Sequence, residues 1–166
     1  MIHSMLTALD NLSAFKTASA HCDIPCKVYD PAVALVSALS VVRLIDLILE
    51  IESPSSLANT AQLSRLVAEK ENQAKIVKLE VSTIWGDYFK APQIEGHPGV
   101  HALVHQIMQT ASACKQGVDR VAGEHLVKQL NEFAEMFWSS KGIATKMVVA
   151  PYPPALRVCM PALEDG

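Results

Sequence analysis

The chain has 166 residues, half of them hydrophobic and 19% charged, with a net charge of −3. That describes one domain with enough apolar material for a core, and it excludes a disordered chain. Acidic residues outnumber basic ones 17 to 14, which excludes a broad basic nucleic-acid surface. Four cysteines are too few for a disulfide-stapled scaffold, and 5% aromatics with seven glycines argue against a turn-rich sandwich.

Residues 1–20 place Ile2, Met5, Leu6, Leu9, Leu12 and Phe15 at helical spacing and end in Ala18-Ser19-Ala20. The small-x-small ending is that of a processing site. The segment has no basic start and no continuous apolar stretch, and it carries Asp10, so it does not read as an export signal. Both an attached N-terminal helix and a leader cut after Ala20 fit this pattern. The expected compartment is the bacterial cytoplasm.

The next residues read His21-Cys22-Asp23-Ile24-Pro25-Cys26-Lys27-Val28-Tyr29-Asp30-Pro31. One imidazole and two thiols stand within six residues. A buried loop that happens to hold two cysteines and a histidine would explain them without a metal. Half of a zinc site is a second reading, but no further Cys/His pair is spaced to complete it, and Cys114 and Cys159 stand apart. A chain beginning at His21 changes the chemistry. Its free α-amine would stand beside the Cys22 amide and the thiolates of Cys22 and Cys26. Those donors close a planar N,N,S,S ring with the His21 imidazole available above it, a set that suits Ni(II) or Cu(II) rather than zinc. Anionic thiolates and a deprotonated amide also stabilise a higher oxidation state.

Asp30 and Pro31 mark a helix start, the carboxylate as cap and the proline where no amide donor is needed. Residues 31–51 are almost continuously apolar, yet carry Arg43, Asp46 and Glu50, each costing about 2.5–3.5 kcal/mol near the centre of a bilayer. With Ser37 and Ser40 they are expected to form one polar stripe on a helix buried against a core and a neighbouring subunit, not in a membrane. Ser53-Pro54-Ser55-Ser56 ends it. A second helix is expected from about Thr60 to Phe89, with Leu63, Leu66, Val67, Ala74, Val77, Val81, Ile84, Trp85 and Tyr88 on one face and the charged run 69–75 as a solvated face. Breaks at Ala91-Pro92 and Gly96-His97-Pro98 precede a third helix through Val100, Val104, Ile107 and Ala111. After Gly117 a fourth carries Leu126, Leu130, Phe133 and Phe137. The pattern predicts an all-α protein, an antiparallel up-down-up-down four-helix bundle over residues 21–141. Residues 142–166, apolar and rich in proline, are expected to lie extended on the bundle or on a neighbouring subunit.

The pattern made by His21, Cys22, Pro25, Cys26, Tyr29 and Pro31 resembles the nickel hook of the nickel-containing superoxide dismutases. The run Trp85-Gly86-Asp87-Tyr88-Phe89-Lys90, with Pro92, is similar to a second segment of that family, and Phe137-Trp138 to a third. The resemblance spans about residues 21–141. It implies a four-helix bundle assembled as a homohexamer, a leader of residues 1–20 removed by a dedicated peptidase, and one nickel ion per subunit. It further implies that the His21 amine and imidazole, the Cys22 amide and thiolate and the Cys26 thiolate bind the nickel. Tyr29, with Tyr88, would restrict entry to small anions, and Asp23, Pro25 and Lys27 would surround the site. The implied reaction is disproportionation of superoxide to oxygen and hydrogen peroxide, with nickel alternating between Ni(III) and Ni(II).

The chain departs from the family's pattern in three places. Lys27 stands where well-known members have glycine, and either draws in superoxide or simply faces solvent. Ser37 replaces a glutamate, and Gln73 an arginine, of the network that orients the axial histidine, which puts the support of the His21 imidazole in question. His101 and His105, four apart, have a spacing that can hold a metal but read first as a surface pair. Asp87 and Lys90 read as part of a field for an anionic substrate or as a helix-end salt bridge. The competing function is a nickel- or copper-binding store or chaperone without turnover. A structural helical oligomer with an incidental thiol loop is the third.

Overall fold

The computed structural model describes residues 27–53 and 55–163. The 1–20 segment and His21, Cys22, Asp23, Pro25 and Cys26 lie outside the described residues. The chain forms α1 (Ala32–Leu49), α2 (Leu57–Thr83), a π-helical turn (Ile84–Tyr88), a short α3 (Ala91–Gly96), α4 (Val100–Gln116), α5 (Arg120–Ser140) and strands β1 (Thr145–Val149) and β2 (Arg157–Pro161). The four long helices close a ring of contacts in the order α1, α2, α4, α5. The predicted bundle is what forms; α3 occupies the region expected to be only a break.

Each helix end has a cause in the sequence. Asp30 Oδ1 accepts from the Ala32 amide at 2.8 Å, the expected start of α1. Ser56 Oγ accepts from the Asn59 amide at 3.0 Å, so α2 begins a few residues before the periodicity placed it. Asp119 Oδ1 accepts from the Val121 amide at 2.9 Å ahead of α5. Gly142, at φ +71°, ends α5, and the Ile143 amide reaches back to the Trp138 carbonyl at 3.0 Å.

Helix α1 is the core helix, with Leu39, Val42 and Ile45 among its buried residues between α2 and α5. Gly123 on α5 allows the close approach: a Cβ there would meet Val42 Cγ2 at 3.0 Å. By length and composition α1 resembles a membrane span, with mean hydropathy 2.3, but half of it is buried inside the bundle.

The polar stripe expected on α1 forms without Ser37. Ser37 is only 4% exposed, Asp46 accepts from Arg120 Nε of α5 at 2.8 Å, and Arg43 pairs with Glu50 at 3.2 Å. Steps of three residues fall about 60° short of a full helical turn. Ser37 therefore falls off the stripe, while Ser40, Arg43, Asp46 and Glu50 stay within about a third of the circumference, as the Arg43–Glu50 pair two turns apart requires.

The charged run 69–75 is not wholly solvated either. Lys70 is 1% exposed, and its ammonium donates to the carbonyls of Cys114, Lys115 and Gly117 at 2.5, 2.8 and 2.9 Å. It thereby caps the C-terminus of α4, where orphan carbonyls and the helix dipole favour a cation. Burial lowers the Lys70 pKa, with Glu71 and Cys114 opposing. Burial likewise pushes the Cys114 thiol up to about 11, with Lys70 opposing.

Residues beyond Gly142 lie extended on their own bundle and also pair with each other. β1 and β2 run antiparallel with Val148 opposite Val158, on either side of a turn through Tyr152, Pro153 and Pro154. Two runs rich in valine and methionine separated by prolines satisfy their own backbone groups this way. Asn131 of α5 holds the hairpin: Nδ2 donates to the Arg157 carbonyl at 2.9 Å, and Oδ1 accepts from the Cys159 amide at 2.8 Å.

Candidate active site

Up-and-down topology brings the start of α1, the end of α2 and the end of α5 to one pole of the bundle. There a cleft of about 500 Å³ is lined by Lys27, Tyr29, Asp87, Tyr88, Lys90, Pro92, Gln93 and Lys141. Lys27 follows Cys26 directly in sequence, so the hook segment joins the described chain at this cleft.

The π-helical turn builds one wall. The Phe89 amide bonds to the Ile84 carbonyl at 3.3 Å, five residues back, where a regular helix would reach four. Tyr88 packs on Phe137 of α5, ring centroids 4.7 Å apart, and Phe89 turns inward onto Phe133 at 5.8 Å. Tyr29 faces Tyr88 across 6.1 Å with the rings inclined at 54°. The Tyr88 hydroxyl meets Ser140 Oγ at 2.7 Å. Trp85 anchors the turn from another side, its indole Nε1 donating to His101 Nδ1 at 2.9 Å.

The cleft is positive although the chain is not. Lys141 Nζ lies 4.7 Å from the Tyr88 ring centroid and 5.0 Å from that of Phe137, held by both aromatic faces. Lys90 Nζ donates to the Gly86 carbonyl at 2.7 Å. Three ammonium groups thus face one carboxylate, Asp87, in a chain of net charge −3. A recess of this sign concentrates a small anion. Asp87 and Lys90 share the cleft, and Lys90 bonds to a backbone carbonyl in place of the helix-end salt bridge. Lys27 is exposed and lines the same recess; its φ of +59° is the left-handed conformation that glycine adopts without cost.

The structure brings Lys27, Tyr29, Tyr88 and Lys90 together at one cleft. Ser37 and Gln73 do not line the cleft. Ser37 is buried on α1, while Gln73 donates to Glu69 at 2.7 Å and lines a groove between α1 and α2 with Ser40 and Tyr152. His101 accepts the Trp85 indole hydrogen at Nδ1, which leaves the ring proton of a neutral imidazole on Nε2. That tautomer has no free lone pair for a metal, so the His101–His105 pair is not a ligand set as it stands. Among the described residues no group of three or more His, Cys, Asp or Glu could hold a metal. Sequence reasoning missed Ser140 and Lys141. The available signal was their spacing, three and four residues after Phe137, on the helix face that Tyr88 covers.

The donor set at residues 21–26 fits nickel: two thiols, an amide and a histidine whose own amine becomes a donor once it begins the chain. The family described as nickel-containing superoxide dismutase matches residues 16–141, which include these donors and the whole bundle. "Superoxide dismutase [Ni]" of Streptomyces coelicolor is 35% identical over 125 residues, 75% of this chain and 91% of that protein. The protein of the same name from Streptomyces seoulensis is 33% identical over 126 residues, covering 74% and 89% respectively. A 1.30 Å native structure of nickel superoxide dismutase superposes with a TM-score of 0.67 at 34% identity, covering 74% of this chain and 99% of that one. A structure with nickel ligation corresponding to the oxidized state gives 0.65 at 32% identity, with the same coverage. By sequence and by fold, this chain belongs to the nickel-containing superoxide dismutase family.

Proposed function

We propose that this chain disproportionates superoxide at a nickel ion held by the His21 amine and imidazole, the Cys22 amide and thiolate and the Cys26 thiolate, once residues 1–20 have been removed by a peptidase. Nickel bound there supplies a one-electron couple. Two superoxide anions and two protons then give one molecule each of oxygen and hydrogen peroxide. Asp23 and Pro25 shape the loop that carries the donors. The observation that carries this reading is the positive cleft entered by Lys27, the residue next to Cys26.

The chain's own residues make the approach selective. The ammonium groups of Lys27, Lys90 and Lys141 draw in an anion, and Tyr29 and Tyr88, ring centroids 6.1 Å apart, flank its path. Behind Tyr88 the buried rings of Phe89 and Phe137 back that wall, 5.3 and 4.7 Å from its ring centroid. Family membership disfavours a nickel or copper store without turnover. The enzyme works as a homohexamer in the cytoplasm; the apolar residues that α1 leaves exposed, Val33, Val36 and Leu49, support a subunit contact.

Salt dependence tests the approach. Replacing Lys27, Lys90 and Lys141 together by alanine should lower kcat/KM about tenfold at low ionic strength and flatten its decline with salt. An unchanged kcat/KM in the triple variant would remove the cleft from the substrate's path.

A further inference from the structure

The hydroxyl of Ser140 lies 2.7 Å from the Tyr88 hydroxyl and 2.7 Å from the Phe137 carbonyl oxygen. A serine hydroxyl carries one hydrogen, and a carbonyl oxygen can only accept. Two oxygens at this distance without a hydrogen between them repel. The Ser140 hydrogen therefore goes to the Phe137 carbonyl, and the hydrogen between Ser140 and Tyr88 belongs to the phenol. Tyr88 is the donor of that pair, and its hydrogen points to Ser140, which lines the adjoining recess with Pro92, Gln93 and His97 and not the cleft itself. What the phenol turns toward the cleft is oxygen lone pairs.

We propose that Ser140 is a positioning residue which holds the Tyr88 hydroxyl as an acceptor toward the cleft, so that small anions are drawn by the lysines but not captured by the phenol. The inference rests on the reading of this cleft as the anion path. Its consequence is specificity: a halide or pseudohalide gains no hydrogen bond from Tyr88, while water and neutral peroxide, which donate, do. Lys141, directly after Ser140 in sequence, sits over the Tyr88 ring and supplies the attraction that the hydroxyl withholds. Lys27, Lys90, Asp87, Gln93 and Tyr29 are the other polar residues of the recess.

The test uses chloride as the anion and the full chain without nickel, read by chloride NMR line broadening. Ser140→Thr keeps an acceptor for the phenol, whereas Ser140→Val, nearly isosteric with threonine, lacks the hydroxyl and sets a methyl group in its place. The expected result is chloride binding about three- to tenfold tighter in S140V, the worth of one freed hydrogen bond, with S140T matching the parent. In a Tyr88→Phe background, S140V should change nothing, because no hydroxyl remains to be released. Equal tightening in S140T and S140V, or persistence of the effect without the Tyr88 hydroxyl, would overturn the assignment. Lys141→Ala separates the two levels. If K141A weakens chloride binding and S140V leaves it unchanged, the orienting role is wrong and the anion path stands. If neither variant alters chloride binding, both fall.

Discussion

Lys70→Met removes the ammonium that caps α4 and keeps most of the apolar stem. In the parent, that group donates to three carbonyls at 2.5–2.9 Å while only 1% exposed. The Cys114 carbonyl is in the buried part of the site and loses its partner outright, at about 1–3 kcal/mol. The Lys115 and Gly117 carbonyls are partly accessible and recover water, at about 0.5–1 kcal/mol each. Relief from desolvating a buried cation offsets part of this. The net expectation is a destabilisation of about 2–3 kcal/mol and a fall in Tm of about 5–10 °C by calorimetry. The pH dependence carries a second signature. Lys70 has its pKa lowered on folding, so between its folded and unfolded values the unfolded chain binds more protons and the fold gains stability as pH rises. Cys114, raised from 9.0 to about 11, works oppositely: its contribution is full below pH 9 and is lost as pH climbs toward 11. In K70M the cysteine acts unopposed, so that variant should lose stability more steeply than the parent between pH 9 and 11. A Tm that is unchanged or higher, or parallel alkaline slopes, would refute the capping role.

Three further outcomes follow from the site and the fold. Cys22→Ser or Cys26→Ser should abolish redox turnover, leave helical content unchanged and hold stability within about 0.5 kcal/mol of the parent, since the helices that follow build the bundle core; retained turnover in either variant would remove the thiolate mechanism. Lys27→Gly and Lys27→Ala lose the same charge, but only glycine relieves a left-handed residue at φ +59°, a cost of about 1 kcal/mol. Nickel titration should therefore show K27G binding about fivefold tighter than K27A, and equal affinities would show that this conformation does not limit the hook. Deleting residues 144–166 removes the buried Ala150, Val158 and Cys159 from the face of α5 and should cost about 2–4 kcal/mol while turnover persists. Loss of turnover in a folded truncated protein would give the hairpin a part in the site.

What the sequence revealed was what is local. Asp30-Pro31 start a helix whatever surrounds them, and the proposed donors at His21, Cys22 and Cys26 can be recognised because all of them stand within six residues. The heptad-like spacing of Ala74, Val77, Val81 and Ile84 fixed the inner face of α2. The less visible features are set by where separate helices end. Lys70 reads as one of several charges in an exposed run until the carbonyls of α4 arrive beside it. Ser140 and Lys141 acquire their roles only because α5 stops against Tyr88. Ser37 was counted in the polar stripe of α1 because spacing of three was treated as if it closed a turn. The C-terminal residues were legible as non-helical, through their prolines, but the pairing of Val148 with Val158 depends on a turn geometry that composition does not specify.

The central claim is that a free amine at His21 completes a catalytic nickel site. Its most direct test is superoxide disproportionation by nickel-loaded protein beginning at His21, with the equally loaded 1–166 chain as control. The account predicts fast turnover in the cut form and none in the full chain, where the same nitrogen is a peptide. Equal turnover in both forms, or tight nickel binding by the cut form without turnover, would contradict it.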